Sequence, residues 1–405
     1  MGFDDLGIAP SLLSVLETLG IETPTPVQRE AIPVALAHRD LVAVAQTGTG
    51  KTLAYALPAL MRLSDGPVGR NLMLVLTPTR ELAQQVHGVF DVLGRPLGIR
   101  STAIYGGVGY EAQATALKRG VSIVVATPGR LLDHMRQGRA HFGDLMILVL
   151  DEADRMLDMG FLPDIRSIIQ KLPQARQTLM CSATFPPEIA RLSREFLNDP
   201  ERIEVGLVAQ PVDTVRQVVY TVNPERKIAL LAKVLREQQV DSAMIFLRTK
   251  PRTERVTRAL RRNGFKVQEI HGDRSQRQRD EALAGFRSGK YRYLVATDVA
   301  ARGLDIENVS HVINFDIPEN PDDYIHRIGR TARANSDGDA ITFVSPTDHI
   351  ALEAIERALG KNLPRADWEE AVPVISLYQA PGEATGRGRR GISYRRRRSG
   401  LMKSP

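Results

Sequence analysis

Short apolar runs alternate along this chain, from residue 40 onward, with longer amphipathic stretches such as the one from Thr79 to Leu93. Within each run the apolar residues are continuous, which is typical of strands buried on both faces of a parallel sheet. The stretches between the runs have the spacing of helices. The pattern predicts an α/β protein with mainly parallel sheets flanked by helices. The predicted strands are 41–45, 72–76, 122–126, 146–150, 178–182, 216–222, 242–247, 266–270, 293–297, 311–315 and 340–344.

The alternation is interrupted once, at residues 206–214, where the sequence GLVAQPVDT has no periodicity. A chain of 405 residues is also long for a single hydrophobic core. We therefore predict a domain at 1–205, a linker at 206–214 and a second α/β domain at 215–365. The remaining residues, 366–405, form a C-terminal extension whose Gly/Arg-rich end we expect to be disordered.

The composition excludes several classes of protein. Hydrophobic residues make up 43% and charged residues 25% of the chain, as in ordinary globular domains. No apolar run reaches the roughly 18 residues that a membrane span needs, and the acidic start MGFDDLG does not resemble a signal peptide. The single cysteine, Cys181, excludes an internal disulfide framework. We expect a cytoplasmic protein that does not associate with membranes.

The positive charge is concentrated at the C-terminal end. The net charge of the chain is +7, but residues 386–405 contain eight basic and no acidic side chains. The rest of the chain therefore carries a net charge of −1. Arginines interspersed with glycine are typical of RNA-binding tails, although a merely solvated end is the alternative. A nucleic-acid site on the folded part would have to be a local patch.

A phosphate-binding loop is the strongest local motif. It follows a predicted strand and opens a predicted helix, which is the context that such a loop requires. Its small residues let backbone N–H groups turn toward a phosphate, and the helix N-terminus adds positive potential. Lysine would reach the β- and γ-phosphates of ATP, and the following hydroxyl would bind Mg²⁺. The loop consists of Ala45, Gln46, Thr47, Gly48, Thr49, Gly50, Lys51 and Thr52.

Two acidic residues directly after the run 146–150 complete the pattern of an ATPase. Asp151 at the end of that predicted strand suits a Mg²⁺ contact. Glu152 beside it suits the positioning and deprotonation of an attacking water. An acidic pair after a strand is on its own more often a helix cap, but Lys51 and Thr52 upstream favour the ATPase interpretation.

Further motifs follow in an order that resembles the DEAD-box RNA helicases, named after the tetrapeptide at residues 151–154. The resemblance covers about residues 3–360 and includes the segments PTREL at 78–82, TPGR at 127–130 and SAT at 182–184. It implies two tandem RecA-like domains, ATP and Mg²⁺ as cofactors, and RNA as the partner.

The resemblance also implies roles for individual residues. Gln28 would read the adenine edge, with Phe3 nearby, and Asp305 would contact the ribose. Arg330 and Arg333 would act as arginine fingers on the γ-phosphate. The state of the ATP site would be coupled to domain closure through Ser182, Thr184 and His326. The groove for the RNA backbone would be formed by Arg80, Gly107, Thr127, Arg130, Gln276, Arg279 and Thr297.

Because the phosphate-binding groups and the arginine fingers lie in different halves, we expect hydrolysis to require closure of the two domains. The main hypothesis is an RNA-stimulated ATPase that locally unwinds short duplexes. One alternative is an ATPase that acts on DNA, or one that uses closure to clamp RNA or remodel RNA–protein complexes. Another is a catalytically inactive RNA-binding scaffold or annealing chaperone, driven by the tail, in which RNA binding rather than unwinding is the main activity. We expect a monomer, with possible partners in ribosome assembly or RNA degradation.

Overall fold

The computed structural model describes residues 2–46, 48–64, 66, 70–205, 215–238, 240–301, 304, 306, 309–331 and 338–367, with Val299 described for its backbone only. The predicted linker at 206–214 and the predicted tail lie outside these residues. Thr47, Asp305 and Arg333, which the sequence places in the ATP site, lie outside them as well.

The first half of the chain forms a seven-stranded sheet in the order β3-β4-β2-β5-β6-β1-β7, with every described pair parallel. Its strands are β1 Leu41–Val44, β2 Met73–Leu76, β3 Ser101–Ile104, β4 Ile123–Ala126, β5 Ile147–Leu150, β6 Gln177–Ser182 and β7 Glu201–Glu204. Its helices are α1 Pro10–Thr18, α2 Pro26–Leu36, α3 Lys51–Ser64, α4 Arg80–Gly94, α5 Tyr110–Arg119, α6 Pro128–Arg136, α7 Ala153–Asp158, α8 Leu162–Ile169 and α9 Pro187–Phe196.

The second half forms another seven-stranded parallel sheet, in the order β10-β11-β9-β12-β13-β8-β14. Its strands are β8 Val215–Thr221, β9 Ala243–Leu247, β10 Val267–Ile270, β11 Tyr293–Thr297, β12 His311–Asn314, β13 Gly338–Val344 and β14 Arg365–Ala366. Its helices are α10 Lys227–Glu237, α11 Lys250–Arg262, α12 Gln276–Arg287, α13 Asp298–Ala301, α14 Pro321–Ile328 and α15 His349–Leu359.

The two sheets have the same topology. When the strands of the second sheet are renumbered from its own first strand, β8, the two strand orders become identical. This identity confirms the predicted α/β architecture of two parallel sheets flanked by helices, and it agrees with duplication of one domain.

Helices cover both faces of each sheet. Alternate residues of β1 enter different cores: Leu41 and Ala43 pack with α1–α4, whereas Val42 and Val44 pack with α5–α9. The second sheet is arranged in the same way, with α10 and α11 on one face and α12–α15 on the other. Burial on both faces explains why the strand sequences are continuously apolar.

Among the described residues there is no helix that is both long enough and apolar enough to span a membrane.

Candidate functional site

The phosphate-binding loop connects β1 to α3, as the sequence predicts. Gly48 and Gly50 have φ values of +81° and +90°, in the left-handed region that glycine adopts without strain. A side chain at position 50 would also collide with the amide of Gln28. Lys51 is buried, and its Nζ donates to the carbonyl oxygens of Ala45 and Gln46, the latter at 3.0 Å. The lysine therefore closes the loop around the space that a phosphate would enter.

Gln28 joins helix α2 to this loop. Its Oε1 accepts a hydrogen bond from the Thr25 N–H at 2.9 Å, and its Nε2 donates to the Gly50 carbonyl at 3.0 Å. One N–H and one lone pair of the amide remain for another partner. The predicted contact with adenine thus stays a prediction that this geometry permits. Phe3 is buried in the core and lines a separate cavity with Ile21, so the structure does not bring it to Lys51.

Asp151 follows β5 directly and is almost completely buried, with 3% of its surface exposed. Its Oδ2 accepts a hydrogen bond from the Tyr55 hydroxyl at 2.8 Å, and its Oδ1 accepts one from the Glu152 N–H at 3.0 Å. Burial, followed by the negative charge of Glu152, raises the pKa of Asp151 to about 6, against the opposing effect of Lys51. A cation in the site would favour the ionised carboxylate.

Glu152 has a left-handed backbone conformation, with φ +52°. Both of its carboxylate oxygens accept hydrogen bonds from Nη1 of Arg155, at 3.0 and 2.8 Å, and the pair is buried. The arginine thereby fixes the orientation of the carboxylate that the sequence assigns to water activation.

The next acidic residue, Asp154, connects this segment to the SAT segment after β6. Its Oδ2 accepts hydrogen bonds from the Ala183 N–H at 3.0 Å, the Thr184 N–H at 2.8 Å and the Thr184 hydroxyl at 3.0 Å. Ser182 contacts the loop through its backbone, because its carbonyl accepts from the Ala45 N–H at 3.0 Å. Thr184 therefore has the side-chain contact that a coupling residue needs, and Ser182 has a backbone contact.

A cavity of about 240 Å³ brings the catalytic candidates of both halves together. Lys51, Asp151 and Glu152 line it from the first domain, and Arg330 lines it from the second. Arg330 is buried and donates to the Leu304 carbonyl at 2.5 Å. Thr52 also lines the cavity. A hydroxyl and a carboxylate are the hard oxygen ligands that Mg²⁺ prefers, so Thr52 and Asp151 fit that ion.

His326 of α14 lies against the first domain, in a cleft of about 410 Å³ shared with Asp154, Arg155 and Thr184. Burial, and next the positive charge of Arg155, lower the pKa of His326 to about 4. The imidazole is therefore neutral at pH 7. The structure thus brings His326 and Thr184 together at the domain interface.

Four residues predicted to bind RNA meet where the two domains touch. The Arg80 guanidinium lies where a side chain at Gly107 would be. Nη1 of Arg80 donates to Oε1 of Gln276 at 3.5 Å. Arg279 forms an ion pair of 2.9 Å with Glu81. Gln276 and Arg279 thus bridge the domains in this structure, and their contact with RNA stays a prediction.

The other three predicted RNA ligands lie at the ends of strands and beginnings of helices. Thr127 is the residue before α6, and Thr297 ends β11. Arg130 donates to the Val108 carbonyl at 3.2 Å, and its guanidinium lies 5.3 Å from the centre of the Tyr110 ring. Arg130 is therefore held in place by its own domain.

Comparison with known families and relatives identifies the architecture. The family model described as DEAD/DEAH box helicase matches residues 25–192, and the one described as helicase conserved C-terminal domain matches residues 226–335. The DEAD-box RNA helicase CshA of Geobacillus kaustophilus is 41% identical over 363 residues, which are 90% of this chain and 78% of CshA. The chain belongs to the DEAD-box ATP-dependent RNA helicases. The family consists of ATP-hydrolysing enzymes.

This helicase is also similar to two eukaryotic proteins, one of them with a solved structure. The probable ATP-dependent RNA helicase DDX17 of Mus musculus is 46% identical over 348 residues, and the chain spans 53% of its length. The solved structure of S. cerevisiae Dbp5 bound to RNA and ADP BeF3 is 31% identical, with a TM-score of 0.81 over 90% of this chain and 95% of that one. Both sheets are thus RecA-like domains, and their relative arrangement resembles that RNA-bound structure.

Three residues of the helicase's site escaped the sequence analysis. Arg155, which holds Glu152, lies three residues further along, in the first turn of α7, a spacing at which side chains can meet. Tyr55, which contacts Asp151, lies one turn after Lys51 on α3, but its partner is 96 positions away and only the packing of α3 on the sheet brings the two together. Glu81, which pairs with Arg279, stands next to Arg80, but its partner is 198 positions away and no local pattern reveals it.

Proposed function

We propose that this helicase is an RNA-stimulated ATPase in which ATP and RNA favour the same closed arrangement of the two domains. The closed form would locally separate short RNA duplexes or remodel RNA–protein complexes. One observation carries the proposal: Arg330 of the second domain lines the same cavity as Lys51 and Glu152 of the first.

The residues of the cavity divide the chemistry between the domains. Lys51 would bind the β- and γ-phosphates, and Glu152, held by Arg155, would orient and deprotonate the attacking water. Thr52 and Asp151 would hold Mg²⁺, which supplies neutralisation of phosphate charge when it is bound. Arg330 would stabilise the transferring phosphoryl group only when the domains are closed. Hydrolysis then depends on closure.

RNA would act on the same equilibrium from another edge of the interface. Arg80 of the first domain lies against Gly107 and contacts Gln276 of the second domain, so an RNA strand that contacts both domains there would favour closure. Two ligands that prefer one state increase each other's affinity. Contacts to phosphate and ribose carry no sequence information, which supports binding without sequence preference.

The test compares nucleic acids and activities in one set of reactions. We expect single-stranded RNA to stimulate ATP hydrolysis and DNA of the same sequence not to do so. We also expect ATP-dependent strand displacement from a short RNA duplex. Stimulation by DNA would indicate a DNA enzyme, and annealing without displacement would indicate the chaperone alternative. Either result would overturn the proposal.

The cellular context is a separate proposal that rests on the sequence alone. We propose a cytoplasmic monomer that assists ribosome assembly or RNA turnover, supported by the single cysteine and the arginine-rich segment 386–405. Crosslinking in cells, followed by sequencing of the bound RNA, would identify the target.

A further inference from the structure

The Tyr55 side chain lies behind the acidic edge of the ATP cavity. Tyr55 is on α3, one turn after Lys51, and only 1% of its surface is exposed. Its hydroxyl donates a hydrogen bond of 2.8 Å to Oδ2 of Asp151, which directly follows β5 and is 96 residues further along the chain. The tyrosine does not belong to the lining of the cavity described above, so it has no direct access to a ligand there.

The hydrogen bond restricts the rotation of the Asp151 carboxylate. Oδ1 is fixed by the Glu152 N–H at 3.0 Å, and Oδ2 is fixed by Tyr55. With one donor on each oxygen, the plane of the carboxylate is determined. Each carboxylate oxygen keeps a further lone pair for another partner. Thr52 lies three residues before Tyr55 on the same helix, so α3 places one proposed metal ligand and orients the other.

We propose that Tyr55 is a positioning residue that aims the Asp151 carboxylate at Mg²⁺ and so sets the affinity of the nucleotide site for that ion. The inference rests on the Mg²⁺ contact of Asp151 in the proposed function. Groups that orient a metal ligand from behind typically contribute 10–100-fold to metal affinity. Because the aromatic ring remains, Tyr55→Phe removes the hydroxyl and leaves the packing of α3 in place.

The experiment measures metal affinity apart from catalysis. Full-length wild-type and Tyr55→Phe proteins are titrated with Mg²⁺ in the presence of a fluorescent ADP analogue, and the analogue is also titrated in EDTA. We expect the half-saturating Mg²⁺ concentration to rise about 10-fold in the variant. Affinity for the analogue in EDTA should stay within about twofold, because Lys51 and the loop are unchanged. Mn²⁺ binding, followed by electron paramagnetic resonance, should weaken in parallel.

Two control variants make the result specific. Tyr324→Phe removes another buried tyrosine hydroxyl, which donates to Gln217 at 3.0 Å in the second domain. It should leave the Mg²⁺ titration unchanged. Asp151→Asn removes the proposed ligand itself and should weaken Mg²⁺ binding at least as much as Tyr55→Phe. The melting temperature of each variant shows whether it is folded.

The outcomes separate this inference from the proposed function. If Asp151→Asn and wild type respond equally to Mg²⁺, the proposed metal contact is wrong. If Asp151→Asn weakens the response and Tyr55→Phe does not, only the role of Tyr55 is refuted. If Tyr55→Phe loses affinity for the ADP analogue equally with Mg²⁺ and in EDTA, Tyr55 has only a packing role, and the inference is overturned as well.

Discussion

The ion pair between Glu81 and Arg279 leads to a quantitative prediction about domain closure. Glu81 lies on α4 of the first domain and Arg279 on α12 of the second, with 2.9 Å between them and side chains only 6% and 12% exposed. Gln276 adds a hydrogen bond of 3.4 Å to the same carboxylate. Because these contacts span the two domains, separating the domains breaks them.

The magnitude follows from the burial of the pair. Glu81→Gln keeps the shape of the side chain but leaves the guanidinium of Arg279 without its anionic partner. Removing one member of such a pair costs about 2–5 kcal/mol. The lower end, about 2 kcal/mol, applies here because glutamine still offers an acceptor oxygen. In the open state Arg279 is solvated by water, so the substitution destabilises only the closed state. The equilibrium constant for domain closure should therefore fall about 30-fold.

The assay is an RNA titration of ATP hydrolysis at saturating ATP. The RNA concentration for half-maximal stimulation should rise by up to about 30-fold in Glu81→Gln. Arg279→Gln should have a similar effect, and the double variant should cost little more than either single change. Glu195→Gln, which removes an exposed pair with Arg166 within the first domain, is the control. If the RNA concentration for half-maximal stimulation of Glu81→Gln lies within twofold of the wild-type value, the interdomain role of the ion pair is refuted.

Three further predictions concern turnover, pH and the C-terminal end. Glu152→Gln should abolish turnover while ATP and RNA binding persist; hydrolysis near the wild-type rate would contradict its role as the base. His326 has a pKa lowered to about 4 by burial and Arg155, so its stabilisation of the structure is fully present above about pH 6.5 and is lost as the pH falls toward 4. Thermal melts should therefore show less loss of stability over that interval in His326→Gln than in wild type, and identical pH profiles would exclude this linkage. Deleting residues 386–405 should make the plot of log RNA affinity against log salt concentration shallower by about 3, if about half of the segment's cations contact RNA. The maximal ATPase rate should stay unchanged. An unchanged slope would mean that the segment is merely a solvated end.

The central strands could be predicted from the sequence, and three edge strands could not. Each predicted run coincides with an observed strand to within about two residues at either end. β3, β7 and β14 were missed, and each lies at the edge of a sheet. Edge strands are covered less completely and carry polar residues, as the sequence ERIE of β7 shows. Without a continuous apolar run, only pairing with the neighbouring strand defines them.

In the site, contiguous motifs could be predicted from the sequence, whereas contacts between residues far apart in the chain could not. The phosphate-binding loop and the acids after β5 could be located because each is a contiguous motif at the end of a buried strand. The residues that hold these motifs in place could not be predicted from the sequence. Tyr55, for example, reaches Asp151 only through the packing of α3 on the sheet. The contact of Gln276 and Arg279 with the first domain depends on closure, which no segment of the sequence encodes by itself.

If Arg330 of the second domain completes the ATP site, its loss must lower the rate of RNA-stimulated ATP hydrolysis. The RNA-stimulated kcat of full-length Arg330→Ala is compared with that of wild type and of Arg357→Ala, an exposed arginine of α15. We expect kcat to fall about 10³-fold in Arg330→Ala. We also expect unchanged nucleotide binding in the absence of RNA and a normal rate for Arg357→Ala. A kcat of Arg330→Ala close to wild type would contradict a catalytic site shared between the two domains.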